Sequence, residues 1–366
     1  MTRRAVAALY HPIGFRSDMP PTDARLALIH DWVSAGLGLE PARLEPASSD
    51  ASFRRYFRVS TADGRTFIVM DAPPGKEDVR PYVKVTRLLE ATGVHVPHLH
   101  EMDAERGLLL LEDLGTTQYL TRLNAGDDAD SLYGDALGAL ADIQVNGRDA
   151  AAELAPYDRA ALIREMSLLP EWFIARHLEL ALSDEEQAVI AAAFEFLVAE
   201  ALAQPVVFVH RDYHSRNLMV TREKNPGVID FQDALAGPVG YDLVSLLKDC
   251  YISWPRDRVE RWVSSYRAQL LKRNGPGGSS EQEFLRWFDL IGVQRHIKVL
   301  GIFARLWYRD GKSGYLADLP LTLEYVRSTC ARYPELAALS KIIERHFVPG
   351  LPRANERVQR AAGVGR

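Results

Sequence analysis

Three polar side chains stand in the order that phosphate chemistry requires. Asp212 precedes Asn217 by five residues, and Asp230 follows Asn217 by 13 residues. A carboxylate can accept the proton of an attacking hydroxyl group, while an amide oxygen and a second carboxylate can hold Mg²⁺ on the phosphates of a nucleotide. The spacing therefore predicts phosphoryl transfer, with Asp212 as the base and with Asn217 and Asp230 as the magnesium ligands.

The residues around Asp212 match a known loop pattern. The segment His210–Asn217 reads His-Arg-Asp-Tyr-His-Ser-Arg-Asn and fits the H-R-D-x-x-x-x-N pattern of catalytic loops. The structural alternative is a buried His-Asp turn with a capping Asn, but it needs four fixed positions and the later Ile-Asp-Phe to coincide by chance. Asp242 precedes an apolar-periodic helix, so it is either a cap that supports this loop or a substrate ligand.

The chain ahead of residue 113 predicts a small, mostly antiparallel sheet that carries one helix. A first helix begins behind a Thr22/Asp23 cap, and a second begins near Pro81. Asp63-Gly64 supplies the positive φ of a tight turn between two extended runs. The extended runs of this region are 55–59, 65–70, 94–97 and 108–111.

After Gly115 the chain is rich in Ala and Leu at helical spacing. Three short β-rich runs interrupt it and would bring the three polar side chains to one edge; they are 206–209, 217–220 and 228–231. The pattern predicts an α+β protein with two lobes. Its predicted segments are a flexible arm at 1–21, a nucleotide-binding N-lobe at 22–112, a helical C-lobe at 113–347 and a disordered tail at 348–366.

Composition excludes several classes of partner. The 366 residues carry a net charge of −5, so no global basic field is available to gather nucleic acid. No apolar run approaches the roughly 20 residues of a membrane span. Cys250 and Cys330 do not make a disulfide framework in a chain this long. We therefore expect a cytoplasmic, monomeric protein with a small-molecule substrate and neither a nucleic acid nor a membrane as partner.

Segment 45–320 also resembles the aminoglycoside phosphotransferase family, whose fold is protein-kinase-like, with a small antiparallel-sheet N-lobe and a mostly helical C-lobe. The motifs that carry the resemblance are Ser48–Arg58, Ile68–Pro74, Leu109–Gly115 and His210–Val220. Within the family, the sequence is most similar to the bacterial kinases that phosphorylate N-acetylmuramic acid and N-acetylglucosamine at the anomeric hydroxyl. The resemblance implies ATP and Mg²⁺ as cofactors and a role in recycling cell-wall sugars.

The resemblance also implies a nucleotide site, with Glu112–Leu114 as an interlobe hinge whose backbone meets adenine. Two features depart from the family pattern: the phosphate loop Ser48–Ser52 lacks glycine, and the strand Ile68–Asp71 lacks the usual lysine. The basic residues that could replace this lysine are Arg54, Arg55, Arg58 and Lys84. The predicted cofactor-binding residues are Ser48, Ser49, Ser52, Arg58, Glu112 and Leu114.

The acceptor is expected to lie beside Asp212. Residues 241–320 hold 13 basic and 9 acidic side chains, which disfavours a polycationic aminoglycoside and favours a neutral or anionic sugar. An arginine could bind the carboxylate of N-acetylmuramate, and the candidates are Arg216, Arg295, Arg305 and Arg309. Trp307 and Tyr308 either stack on the sugar or pack in the core. The predicted substrate residues are His214, Arg216, Asp233 and Arg305.

Two other functions stay open at this point. One is an aminoglycoside, choline or homoserine kinase of the same fold. The other is a weakly active nucleotide-binding regulator, which the missing strand lysine and loop glycines would suit.

Overall fold

A computed structural model describes residues 23–49, 53–278 and 280–363. The predicted N-terminal arm lies outside these residues. By its internal contacts the chain divides into two compact units. The first runs up to Glu77 and includes His100–Leu111, and the second comprises Asp78–Leu99 and everything from Glu112 onward. The change of unit at Glu112 falls where the composition changes, while 78–99 groups with the second unit rather than with the sheet.

The first unit is built on a helix and a sheet. Helix α1 (Ala24–Asp31) begins at Asp23, whose carboxylate accepts the N–H of Arg25 (3.0 Å). The five-stranded sheet has the order β1-β2-β3-β5-β4. Its strands are β1 (Pro41–Ser49), β2 (Arg55–Thr61), β3 (Thr66–Asp71), β4 (Leu99–Asp103) and β5 (Leu108–Glu112). The core between helix and sheet contains Ile29, Trp32, Val59, Val69 and Leu108, all buried.

The sequence predicted the hairpin correctly and one strand wrongly. Strands β2 and β3 pair in antiparallel register, and Gly64 in their turn has φ of 84°. The strand expected at 94–97 lies instead at 99–103. Residues 94–97 contact the second unit's strand at Gly227–Val228 instead, where the carbonyl of His95 accepts the N–H of Val228 (2.7 Å).

The second unit is mainly helical, as predicted. Its α-helices are α2 (Arg80–Glu90), α3 (Tyr119–Asn124), α4 (Ala129–Asn146), α5 (Arg148–Ala151), α6 (Arg159–Met166), α7 (Asp184–Leu202), α8 (Gly240–Leu247), α9 (Arg256–Lys272), α10 (Glu281–Asp310), α11 (Leu319–Cys330), α12 (Ala337–Ile342) and α13 (Val348–Gly363). Two short ladders lie among them: β6 (Val206–Val209) pairs with β9 (Leu235–Pro238), and β7 (Leu218–Met219) pairs with β8 (Gly227–Val228). The sequence did not predict β9.

Helix α10 forms the centre of this unit. It packs against α6, α7, α8, α9 and α11. Gly301 is required at one crossing, since a Cβ there would lie 2.4 Å from the backbone carbon of Leu168. None of the helices in the described part of the chain has the length and apolar character needed to cross a bilayer.

The C-terminal segment differs from its prediction. Residues 348–363 form helix α13 rather than a disordered tail, and the last three residues lie outside the described part of the chain. Leu351, Ala354 and Val358 recur at helical spacing and are buried. The numerous Arg and Gly residues of the segment obscured this narrow apolar face in the sequence.

Candidate active site

Strand β6 leads directly into the predicted catalytic loop. The backbone N–H of His210 donates to Asp242 Oδ2 (2.7 Å), and that of Arg211 donates to Asp242 Oδ1 (2.9 Å). Arg211 has φ of 78°, a left-handed conformation that a non-glycine residue keeps only where its surroundings hold it. Asp242, fully buried in the first turn of α8, therefore supports the loop, which is one of the two roles predicted for it.

The three residues predicted to do chemistry lie together. The amide nitrogen of Asn217 donates to the backbone carbonyl of Asp212 (3.0 Å) and to Asp230 Oδ2 (3.2 Å). The ladder of β7 and β8 makes this possible, because the N–H of Ile229 donates to the carbonyl of Asn217 (3.1 Å). Asp230 also has a left-handed backbone, with φ of 66°.

Asp212 is half-buried among cationic groups. Burial raises the pKa of its carboxyl, but the neighbouring cations outweigh burial and hold the pKa below its ordinary value. The neighbours with the largest effect are Lys298, His214 and Arg295. The carboxyl group is therefore ionised at neutral pH, the form that can accept a proton.

The donor set at Asn217 and Asp230 fits magnesium. Both hydrogen bonds of Asn217 use its nitrogen, so they leave its side-chain oxygen to serve as a ligand. The described residues contain no cluster of three or more His, Cys, Asp or Glu that could hold a metal ion. Mg²⁺ bound with a nucleotide does not need one, because it takes one or two protein oxygens and completes its octahedron with phosphates and waters.

An aromatic surface continues from the loop towards α10. The guanidinium group of Arg216 lies 3.5 Å from the ring centroid of Tyr251, and the ring of His214 meets the same tyrosine edge-on at 5.5 Å. Phe303 lies beyond, 6.5 Å from the Tyr251 ring. Burial raises the pKa of the nearby Asp318 to about 6 despite the charge of Arg216.

Arg305 and Asp233, the other two predicted substrate residues, differ in how far they are exposed to solvent. Arg305 is partly buried on α10, and its Nε has no hydrogen-bond partner among the described residues. Burial, together with Arg309, lowers the pKa of Arg305. Asp233 is exposed on the turn before β9 and meets the loop through its backbone, because its carbonyl accepts from Arg211 (3.3 Å).

The predicted hinge, Glu112–Leu114, is hydrogen-bonded to the segment 93–98. The N–H of Glu112 donates to the carbonyl of His98 (2.9 Å), and its carboxylate meets His95 Nε2 (3.0 Å). Leu114 packs on Gly227, where a Cβ would lie 2.7 Å from Leu114 Cδ1. A cavity of about 760 Å³ is lined by residues 93–96, His98, residues 112–115 and residues 220–224.

The phosphate-binding residues predicted for the first unit are only partly described. Ser52 lies outside the described residues, and for Ser48 and Ser49 only the backbone, in β1, is described. Arg58 lies on β2 opposite Ile68 of β3.

Two of the candidates to replace the strand lysine have other partners. Arg55 pairs with Asp23 and with the buried Asp71 (2.6 Å). Lys84 donates to the carbonyl of Glu153 (2.6 Å). Strand β3 thus ends in Asp71, whose carboxylate pairs with Arg25 and Arg55, and this strand lacks the lysine of the family pattern.

Sequence reasoning missed four side chains near the loop: Glu165, Tyr251, Lys298 and Asp318. They come from α6, α10 and the segments beside α8 and α11, far from residues 210–217 in the chain. One signal was available, since Arg295 and Lys298 are cationic residues in the middle of a long helix that the sequence predicts to be buried. Buried lysine and arginine nearly always have a specific partner.

The chain is similar in sequence and in fold to known phosphotransferases. The phosphotransferase enzyme family matches residues 43–284. An N-acetylmuramate/N-acetylglucosamine kinase of Pseudomonas putida is 48% identical over 89% of this chain and 97% of its own length. A kinase of the same name from Pseudomonas aeruginosa is 49% identical over 88% of this chain and 96% of its own. The ADP-bound aminoglycoside phosphotransferase APH(2'')-Ib superposes with a TM-score of 0.55 at 15% identity, covering 82% of this chain and 97% of that one.

The fold and the matched residues define a phosphotransferase with a protein-kinase-like architecture. The chain belongs to the phosphotransferase enzyme family, whose match spans well over half of its residues. The predicted α+β fold and the predicted enzyme class are both confirmed.

Proposed function

We propose that this protein is an ATP- and Mg²⁺-dependent kinase that phosphorylates the anomeric hydroxyl of N-acetylmuramate and N-acetylglucosamine. The observation that carries the reaction type is the position of Asn217, which hydrogen-bonds to both Asp212 and Asp230. The sugar acceptor is supported by relatives of that name at 48% and 49% identity that align over nearly their whole length. We place the reaction in the cytoplasm, where its donor ATP is available.

In the proposed mechanism Asp212 receives the proton of the sugar hydroxyl. Its lowered pKa keeps the carboxylate ionised at neutral pH, and an anomeric hydroxyl is more acidic than an ordinary alcohol. Asn217 and Asp230 would hold Mg²⁺, which when bound neutralises charge on the nucleotide phosphates. The bond from Asn217 to the Asp212 carbonyl fixes the base relative to these ligands.

The proposed acceptor site uses the surface beyond the loop. Tyr251, missed in the sequence, is held by Arg216 and His214 and offers an aromatic wall of the kind on which sugar rings stack. Arg305 is the better candidate for the lactyl carboxylate of N-acetylmuramate, because its Nε lacks a partner among the described residues whereas Arg216 already stacks on Tyr251. Asp233 is proposed to contact the acceptor from the turn before β9.

The nucleotide-binding residues remain a proposal. Glu112 uses its N–H and its carboxylate within the 95–98 region, so Leu114 is the more suitable contact for adenine. Ser48, Ser49, Ser52 and Arg58 are proposed to contact the phosphates, with Arg58 in the role of the missing lysine.

The test is an acceptor panel with the purified protein, Mg²⁺ and ATP. The panel contains N-acetylmuramate, N-acetylglucosamine, an aminoglycoside, choline and homoserine, and phosphorus NMR of each product reports the phosphorylated hydroxyl. We expect turnover with the two amino sugars and a sugar 1-phosphate as product. Preferred turnover of choline, homoserine or the aminoglycoside would contradict the acceptor assignment. Failure to consume ATP with any acceptor would favour the weakly active regulator.

A further inference from the structure

A buried polar network lies directly behind Asp212. Glu165 on α6 accepts hydrogen bonds from Tyr157 and from the guanidinium group of Arg211, and it pairs with Lys298 on α10 (Nζ–Oε1, 3.1 Å). Lys298 Nζ also donates to the hydroxyl of Tyr241 (3.1 Å). The network thus connects α6, α8 and α10 to the residue that precedes Asp212.

The network acts on a backbone that needs support. The left-handed conformation of Arg211, with φ of 78°, is unfavourable for a residue with a side chain and persists only where its surroundings fix it. Asp242 holds the Arg211 N–H, Ser245 Oγ donates to its carbonyl (3.4 Å), and Glu165 holds its side chain. A turn of opposite handedness here would redirect the carboxylate of Asp212.

The charge of Lys298 also acts on Asp212 itself. Only 8% of Lys298 is exposed, and of all the charges around Asp212 it has the strongest influence on that carboxyl group. Burial lowers the pKa of Lys298, but Tyr241, Glu165 and, to a smaller extent, Asp212 outweigh burial and hold the pKa above its ordinary value, so the lysine stays cationic. Its charge is therefore shared between the carboxylate that fixes Arg211 and the carboxylate predicted to act as base.

We propose that the Glu165–Lys298 pair is a positioning device that holds Arg211 in its left-handed conformation and thereby aims Asp212. Both residues act through the loop and touch neither nucleotide nor sugar. The inference rests on the proposed role of Asp212 as the base.

The test compares Lys298→Met with Glu165→Gln, the double variant and the control Lys248→Met. Lys248 is a suitable control because it is also a buried lysine of the second unit, but its side chain pairs with Asp289 (3.0 Å) and not with a residue that binds Arg211. We expect Lys298→Met to lower kcat roughly 10- to 100-fold while the KM values for ATP and sugar change less than about threefold. The double variant should be no slower than the slower single variant, because both changes release the same loop.

Amide hydrogen exchange gives a readout that does not depend on the acceptor. Peptides covering residues 210–214 should exchange faster in Lys298→Met and in Glu165→Gln, and should be unchanged in Lys248→Met, whose effect should be confined to stability. If one variant does not fold, the other still supplies both measurements.

Three results would overturn the proposal: kcat of Lys298→Met within about threefold of wild type, equal losses of kcat in Lys298→Met and Lys248→Met, or a raised sugar KM at unchanged kcat. The last result would mean that Lys298 contacts the acceptor. Wild-type protein inactive towards every sugar would instead contradict the proposed function, while the exchange measurement would still decide whether the pair holds the loop.

Discussion

The side-chain amide of Asn217 donates to the carboxylate of Asp230 across 3.2 Å, although 13 residues separate the two in the chain. A separation this small allows one cation to bind an oxygen of each residue. The ladder of β7 and β8 is only two residues long on each side, yet it fixes this pairing. The metal-binding geometry is therefore built into the shortest strands of the second unit.

Replacement of Asn217 by Ala should raise the Mg²⁺ concentration needed for half-maximal activity and should lower kcat. The variant loses one proposed ligand and the bond that holds the Asp212 carbonyl. Asn146→Ala is the matched control, because Asn146 also donates from its side chain to a backbone carbonyl, that of Thr92 (2.9 Å). It should cost about 1 kcal/mol of stability and leave the Mg²⁺ titration as in wild type. Equal Mg²⁺ titrations of Asn217→Ala and wild type would contradict the assignment of Asn217 as a ligand.

Replacement of Asp212 by Ala should reduce turnover roughly 100- to 10,000-fold, the range expected when a general base is lost. Nucleotide binding should be retained, because the proposed ligands Asn217 and Asp230 remain. Calorimetric titration with a nonhydrolysable ATP analogue, beside the steady-state assay, separates the two effects. Near-normal turnover by this variant would show that another group accepts the proton.

The loop could be predicted because its residues follow one another in the chain. Asp212 and Asn217 form a local pattern, and the structure places both beside Asp230 as the pattern requires. Lys298 and Tyr251 could not be assigned in this way, because only the packing of α10 and the segment after α8 brings them to the loop. The sequence prediction placed a strand at 94–97 instead of at 99–103 for a related reason. An extended run of residues can pair within a sheet or, as observed for 94–97, can accept a single hydrogen bond from Val228 at His95, and the run itself does not distinguish the two.

Replacement of Asp242 by Asn should change the pH dependence of stability. Burial raises the pKa of Asp242 from 3.8 to about 7 in the folded protein, so between these values the folded state binds more protons than the unfolded state. Its contribution to stability is therefore greatest at low pH and declines as the pH rises from about 4 to about 7. The asparagine does not titrate and also leaves one of the two loop N–H groups without an acceptor, at a cost of about 1–3 kcal/mol.

The stability advantage of wild type over Asp242→Asn, measured by urea unfolding, should shrink between about pH 4 and about pH 7 and level off above that range. A difference that is constant from pH 4 to pH 8 would contradict the raised pKa.

Replacement of Arg305 by Met should separate the two proposed acceptors. N-acetylmuramate carries a carboxylate and N-acetylglucosamine does not, so loss of the guanidinium group should raise KM for the former by roughly 10-fold or more and for the latter by less than about threefold. Arg286→Met on the same helix is the control, because Arg286 already pairs with Glu200 (2.6 Å) near the other end of α10. It should change neither KM. Steady-state kinetics of each variant with both sugars gives the ratio of the two KM values. An equal rise of both KM values would place Arg305 against a part that the two sugars share, and a selective rise in Arg216→Met alone would transfer the carboxylate contact to the catalytic loop.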